Sequence, residues 1–198
     1  MPAAIRRLLP ALLLLITACQ PSPPAPPPEI GFTRFQPIYL DVAKIDIVDE
    51  YQSPMKSPNV EHLLPVSPAE AMHVWVRDRL RAVGTGRSLQ VIIKDASVTV
   101  TALPKPGGMQ GFFTVSQDKR YDGRLDVEMR IYNGGAMSEA NIEATVTRSI
   151  TMSERVSLAE REALFRRMIY DMMEEMNAEM EKQMYTYFGN YISYSRHW

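Results

Sequence analysis

The chain has 198 residues, of which 45% are hydrophobic and 23% charged, and its formal net charge is −1 at pH 7. These proportions indicate an ordinary globular domain, and the small net charge argues against a nucleic-acid backbone as the main partner. A single cysteine excludes an internal disulfide and a thiolate metal cluster.

The N-terminal segment has the three parts of an export signal. Arg6 and Arg7 precede an apolar stretch over residues 8–16, and small residues lie just before Cys19. The apolar stretch is about half the ~20 residues that a membrane-spanning helix needs. We therefore expect residues 1–18 to be a signal peptide and not a transmembrane anchor.

Residues 15–19 read LITAC, which resembles the lipobox of bacterial lipoproteins. The resemblance implies that Cys19 is acylated and becomes the first residue of the mature protein. Several acyl chains, at about 0.8 kcal/mol per buried methylene, would make membrane attachment effectively permanent. Gln20 follows where an aspartate often marks inner-membrane retention, so the resemblance favours the periplasmic face of the outer membrane. An ordinary secretory signal with a coincidental cysteine is the alternative.

A proline-dominated segment, QPSPPAPPPE, occupies residues 20–29 and is expected to be extended. At about 3.1 Å per residue it would hold a domain on the order of 30 Å from the lipid. We assign residues 19–35 to the lipidated cysteine and its tether, residues 36–190 to a single α+β domain and residues 191–198 to an aromatic tail. An unstructured leader with the same reach is the alternative to a functional spacer.

The first elements of the domain are a strand and a helix. Apolar alternation over residues 40–47 predicts a strand, and its change of parity near Ala43 indicates a bulge or a break. Ser67 and Glu70 form a capping box at the start of a helix that we expect Gly84 to end. The apolar stripe of this helix comprises Met72, Trp75, Val76, Leu80 and Val83.

Three strands and a long helix follow. Residues 89–100 alternate with a parity change near Lys94 and Asp95, which implies a second bulge. Residues 121–131 and 140–150 alternate regularly around an Asn-Gly-Gly turn and predict a hairpin with one face open to solvent. Ser157 then caps the longest helix. Its apolar stripe comprises Leu164, Phe165, Met168, Ile169, Met172, Met176 and Met180.

The predicted element order is β-α-β-β-β-α. It indicates an α+β two-layer sandwich, with a mostly antiparallel sheet of about four strands and both helices on one face. The methionines of the last helix have the spacing of a buried face, and an adaptable binding surface is the alternative.

The lipobox, the tether and this element order together resemble two families of small outer-membrane lipoproteins. These are the lipopolysaccharide-assembly lipoprotein and the ABC-type transport auxiliary lipoproteins, both of which serve envelope lipid transport. The likeness covers about residues 36–190 and rests on architecture, so it assigns a role to no residue except Cys19.

Nothing in the sequence indicates catalysis. The three histidines, His62, His73 and His197, lack the spacing of a zinc site, so we expect no metal, no cofactor and no enzymatic activity. Glu61 beside His62 could form an acid/base pair, although a solvated loop pair is commoner. The carboxylates Asp122, Asp126 and Glu128 lie on the polar side of one strand, where a solvated surface is expected.

Two loops and the C-terminal tail could contact a partner. The loops cover residues 52–65 and 104–113, and apolar loop residues often mark a contact with a partner or lipid. Entry of the second loop into the core, and simple extension of the last helix by the tail, are the alternatives. The candidate binding residues are Met109, Phe112, Phe113, Tyr187, Tyr191 and Trp198.

From the sequence we therefore expect an outer-membrane-anchored periplasmic lipoprotein. It would act as a non-enzymatic accessory or binding subunit of an envelope assembly or lipid-transport system, with an envelope protein or lipid as its partner. A periplasmic enzyme with an unrecognised site and a purely structural envelope lipoprotein are the alternatives.

Overall fold

The computed structural model describes residues 28–104 and 118–194. Within them, a mixed sheet carries two helices on one face, so the predicted α+β class is confirmed. The predicted lipidation site Cys19 and four of the six candidate binding residues, Met109, Phe112, Phe113 and Trp198, lie outside the described residues, as do His197 and the predicted signal peptide.

The described residues form strands of three to fifteen residues and two α-helices. In chain order they are β1 (Ile38–Leu40), β2 (Lys44–Asp49), α1 (Pro68–Arg79), β3 (Leu80–Ala82), β4 (Ser88–Asp95), β5 (Val98–Ala102), β6 (Lys119–Tyr132), β7 (Ser138–Met152) and α2 (Leu158–Tyr187).

The main sheet is four strand positions wide, in the order β2, β4, β6 and β7, with β5 in line with β4 along the same edge of β6. The register of β4 against β6 shifts between Ile93 and Asp95, so the predicted irregularity is confirmed. The β2–β4 pair is parallel because the connection between these strands crosses over through α1, and the other pairs are antiparallel.

The strand predicted over residues 40–47 is broken at Ala43. Its first part, β1, pairs with β3 in a separate two-stranded sheet, and its second part, β2, joins the main sheet. The backbone N–H of Ala43 donates to the carbonyl of Arg87 at 2.7 Å between the two sheets. The break therefore lets one extended segment serve two sheets.

The first helix is shorter than its apolar spacing predicts. The capping box of Ser67 and Glu70 is present, but α1 ends at Arg79 and the next three residues form β3. Leu80 is buried opposite Ile38 of β1, so strand pairing captures residues whose spacing also suits a helix. The expectation that Gly84 ends the helix is wrong, because Gly84 lies beyond β3.

The hydrophobic core lies between the sheet and the helices. Ile93, Val127 and Ala144 form one row across β4, β6 and β7, and all three are buried. The methionines of α2 pack into the same core, so the buried interpretation of that stripe is confirmed. The opposite face of the β6–β7 hairpin is open to solvent, as predicted, and Glu143 and Thr145 are exposed there.

Both ends of the described chain pack against the domain. The backbone N–H of the buried Phe32 donates to the Asp78 carboxylate at 2.9 Å, so the packing begins before the predicted boundary at residue 36. At the other end, the carbonyl of Tyr191 accepts from the N–H of Asp41 at 2.8 Å, and Ile192 pairs with Leu40 of β1. The start of the predicted tail is therefore part of the small sheet.

Neither α1 nor α2, the helices of the described residues, combines the length and the hydropathy needed to cross a membrane.

Candidate functional site

A groove of about 320 Å³ opens where the loop over residues 52–65 meets β5, β6 and the first turns of α2. Its floor is apolar. Tyr121 of β6 and Phe165 of α2 meet edge to face there, with ring centroids 5.0 Å apart. Leu64 and Val100 extend this floor. Because Tyr121, Leu64 and Phe165 are themselves buried core residues, the groove is preformed by the fold.

The loop that forms one wall of the groove is held along the outer edge of β5. The N–H of Val60 donates to the carbonyl of Val98 at 2.8 Å, and the N–H of Val100 donates to the carbonyl of Pro58 at 2.9 Å. Proline lacks an N–H and is compatible with an edge position of this kind. The proline-rich loop is therefore a fixed wall and not a free tip.

Glu61 anchors this loop from the inside. Only 3% of its surface is exposed, and its carboxylate accepts hydrogen bonds from the Tyr51 hydroxyl at 2.7 Å, from the Ser53 hydroxyl and from the N–H of Val98 at 3.1 Å. The prediction of a solvated Glu61–His62 pair is therefore wrong, because hydrogen bonds from three donors compensate for the burial of the carboxylate.

The electrostatics of Glu61 suit an anchor better than a base. Burial alone would raise its pKa, but the hydrogen bonds from Ser53 and Tyr51 outweigh burial and hold the pKa of Glu61 below its ordinary value. Burial and the neighbouring Glu61 carboxylate raise the pKa of Tyr51. A general base needs an accessible lone pair and a pKa near the operating pH, and Glu61 has neither.

We expect Glu61→Ala to lower the free energy of unfolding by about 1–3 kcal/mol at pH 7, because it leaves buried donors without an acceptor. Since the pKa of Glu61 is lowered in the fold, this contribution is present above the unfolded-state pKa near 4.5 and is lost as the pH falls through the folded-state pKa.

Urea unfolding at pH 7 and at acid pH measures both effects, with Glu50→Ala, an exposed carboxylate of the preceding segment, as the control. Equal destabilisation by the two variants at pH 7 would contradict the anchoring role of Glu61.

Two leucines form the rim of the groove. Leu63 of the loop and Leu158, the first residue of α2, are each 69% exposed and line the same opening. The Ser157 hydroxyl accepts from the N–H of Glu160 at 3.2 Å, and this cap sets where α2 begins and so where Leu158 lies. Exposed apolar side chains that line one opening are typical of a contact surface.

The charged groups of the groove lie on its α2 and β6 sides. The Nε of Arg161 is buried and hydrogen bonds to none of the described residues. Lys119 already forms an ion pair with Glu154 at 3.5 Å, and Glu162 is exposed. Arg161 therefore brings a donor without an acceptor to an otherwise apolar opening.

Tyr187 and Tyr191, the two predicted binding residues that the structure describes, do not line this groove. Tyr187 is exposed at the end of α2, and Tyr191 is half-buried beside the Arg87 guanidinium, whose central carbon lies 5.3 Å from the ring centroid. The sequence missed Leu63, Leu158 and Arg161 as groove residues. Two of them carried a signal: Leu63 is an apolar residue of a loop predicted to contact a partner, and Leu158 is an apolar residue in the first turn of a capped helix.

The acidic side chains of β6 are paired and not simply solvated. A hydrogen bond from Arg130 holds the pKa of Glu128 below its ordinary value, and Glu128 is largely buried. Asp122 and Asp126 form ion pairs with Arg120 and Arg124. Among the described residues, no three histidine, aspartate or glutamate side chains are grouped so as to hold a metal ion.

Comparison with known proteins gives only loose structural likeness. No protein-family model matches the chain. No curated protein matches it either. A minor lipoprotein from Acinetobacter baumannii is similar at a TM-score of 0.38 and 12% identity, over 73% of this chain and 94% of that one. The rare lipoprotein B from Shewanella oneidensis is similar at a TM-score of 0.37 and 15% identity, over 72% of this chain and 97% of that one. At TM-scores below 0.5, neither assigns a function to this chain.

Proposed function

We propose that the protein is a bacterial lipoprotein, held on the periplasmic face of the outer membrane by acyl chains on Cys19. Its domain acts there as a non-enzymatic binding or accessory subunit of an envelope assembly or lipid-transport system. The observation that carries this proposal is the LITAC string after Arg6, Arg7 and an apolar stretch too short to span a bilayer.

Two further features support a binding role. The proline-rich residues between Cys19 and the domain would act as an extended spacer that keeps the domain clear of the lipid surface. The preformed apolar groove with its two exposed leucines offers a contact surface, whereas the buried Glu61 is already committed to holding the loop.

The anchor is tested by Cys19→Ala in cells fed a radiolabelled or clickable palmitate. We expect the wild-type protein to carry the label and to sediment with outer membranes, and the variant to carry none, because acylation requires the thiol. Ile16→Leu, which restores the commoner lipobox residue, is the matched control and keeps the label. An unlabelled wild-type protein, or an intact N-terminal segment by mass spectrometry, would overturn the proposal.

The accessory role needs a separate measurement. We expect crosslinking in intact cells, followed by purification from the outer membrane, to recover a defined envelope protein or lipid together with the chain. A deletion strain is expected to show altered envelope permeability. Recovery of neither partner, together with normal permeability and lipid asymmetry, would leave only a structural role.

A further inference from the structure

We propose that the groove between the loop, β6 and α2 binds a single hydrocarbon chain that ends in a carboxylate, that is, a fatty acid. The chain lies along the apolar floor at Tyr121 and Phe165, and the carboxylate accepts from Arg161. This inference rests on the proposed function only in placing the domain near lipids, since the groove itself is formed by described residues.

The size and lining of the groove favour one apolar chain. A volume of about 320 Å³ lies at the low end of ligand pockets, which leaves little room for a two-chain lipid. Leu63 and Leu158 flank the opening and are mostly exposed, so a hydrocarbon chain between them would remove apolar surface from water at both walls.

Arg161 sets the chemistry of the polar end. Buried N–H donors are almost always partnered in folded proteins, and the Nε of Arg161 lacks a partner among the described residues. The planar guanidinium matches a carboxylate through two parallel hydrogen bonds, and this pairing strengthens beside an apolar wall. A carboxylate at this position would therefore satisfy the donor that the fold leaves open.

The neighbouring charges favour a ligand with one negative charge. Lys119 is already paired with Glu154, so it adds little attraction for an anion. Glu162 lines the same groove and repels any anion in proportion to its charge, so it disfavours a phosphate dianion more than a singly charged carboxylate. A fatty acid has one unbranched hydrocarbon chain and one negative charge, so it suits both the apolar floor and the charged groups of the groove.

The test uses the full mature lipoprotein reconstituted in phosphatidylcholine vesicles, with a diazirine-bearing palmitate as the photoreactive probe. Crosslinked peptides identified by mass spectrometry are expected to contain Leu63 or residues 158–165. Unlabelled palmitate should compete, whereas hexadecyltrimethylammonium, with the same chain length and a positive charge, should not.

Matched variants separate the carboxylate contact from general lipid adhesion. Arg161→Gln is expected to lower probe labelling about tenfold, the size of one lost charge-assisted hydrogen bond. Arg166→Gln, on the same helix but outside the groove, should leave labelling unchanged. Leu63→Gln should also lower labelling, and Met55→Gln, on the same loop and 64% exposed, is its control. Circular dichroism checks that each variant is folded.

The inference would be overturned by competition from hexadecyltrimethylammonium equal to that from palmitate, by undiminished labelling of both Arg161→Gln and Leu63→Gln, or by crosslinks confined to other surfaces. Displacement by phosphatidylglycerol as effective as by palmitate would assign the groove to a two-chain lipid and would equally reject a fatty acid.

Normal acylation of Cys19 together with any of these results would reject the groove ligand alone. Probe binding to a chain that is not acylated in cells would reject the lipid anchor alone.

Discussion

Replacing Arg79 with alanine is expected to lower the free energy of unfolding by about 2–4 kcal/mol, because it removes a large buried side chain together with the hydrogen bonds that this side chain donates. Only 1% of Arg79 is exposed. Its Nε donates to the Asn177 side-chain oxygen at 2.9 Å, and its two terminal nitrogens donate to the Glu181 carboxylate and to the carbonyl of Gln36. One guanidinium therefore joins α1, α2 and the N-terminal segment.

The surroundings of Arg79 make its loss difficult to compensate. The indole N–H of Trp75 donates to the same Asn177 oxygen at 2.9 Å, and the Phe35 ring centroid lies 5.1 Å from the guanidinium carbon. Burial lowers the pKa of Arg79, but an arginine stays charged at any pH at which the protein is folded. Alanine would leave the Gln36 carbonyl without this donor. It would also leave a cavity beside Phe35.

The measurement is chemical unfolding of the full chain, followed by circular dichroism, with Arg77→Ala as the matched control. Arg77 lies two residues earlier on α1, is 71% exposed and pairs with Asp78 at 3.1 Å. Asp78 is only 7% exposed, but it keeps its hydrogen bond from the N–H of Phe32 when the exposed Arg77 guanidinium is removed, so we expect Arg77→Ala to cost about 1 kcal/mol. Similar losses for Arg77→Ala and Arg79→Ala would contradict the assignment of Arg79 as the buried junction.

Gly84→Ala is expected to destabilise the fold by about 2–3 kcal/mol through overpacking. A Cβ at this position would lie 2.6 Å from the carbonyl carbon of Asp41 and 2.7 Å from the nitrogen of Val42. These are backbone atoms, and the N–H of Gly84 donates to the carbonyl of Val42 at 3.0 Å, so the two segments cannot separate without losing their pairing.

Gly86→Ala is the control for this effect, because a Cβ there meets no atom within 4 Å. Both glycines lie in the same turn before β4, so the two substitutions change the unfolded chain in nearly the same way. Thermal unfolding of the two variants should therefore differ by several degrees. Equal midpoints of thermal unfolding would show that the backbone of Asp41 and Val42 leaves room for a Cβ at position 84.

The sequence predicts best where the signal is local. The Ser67 capping box, the methionine stripe of α2 and the alternation of the β6–β7 hairpin each depend on residues within a few positions of one another. The sequence also predicted the two strand irregularities, near Ala43 and Asp95. An extra residue in a strand shifts every later side chain to the other face, so the alternation of apolar residues changes at that position.

The misplaced end of α1 shows where local reasoning stops. Leu80 and Val83 have helical spacing, and helix propensity alone offers no reason to end the helix before them. Pairing with β1, some forty residues earlier in the chain, converts this segment into β3. The buried Glu61 is a similar case, since one of its hydrogen-bond donors, the N–H of Val98, lies 37 residues away.

By itself the sequence determined the class of fold and the buried face of each long element, because the periodicity of apolar residues depends on neighbouring positions. The likeness of residues 15–19 to a lipobox was likewise visible from the sequence alone. Only the tertiary structure decided that Leu63, Tyr121, Leu158 and Arg161 share one groove and that Arg79 joins two helices. The physical reason is that a residue's own neighbours set which face it turns inward, whereas its distant contacts depend on how the whole chain closes around the core.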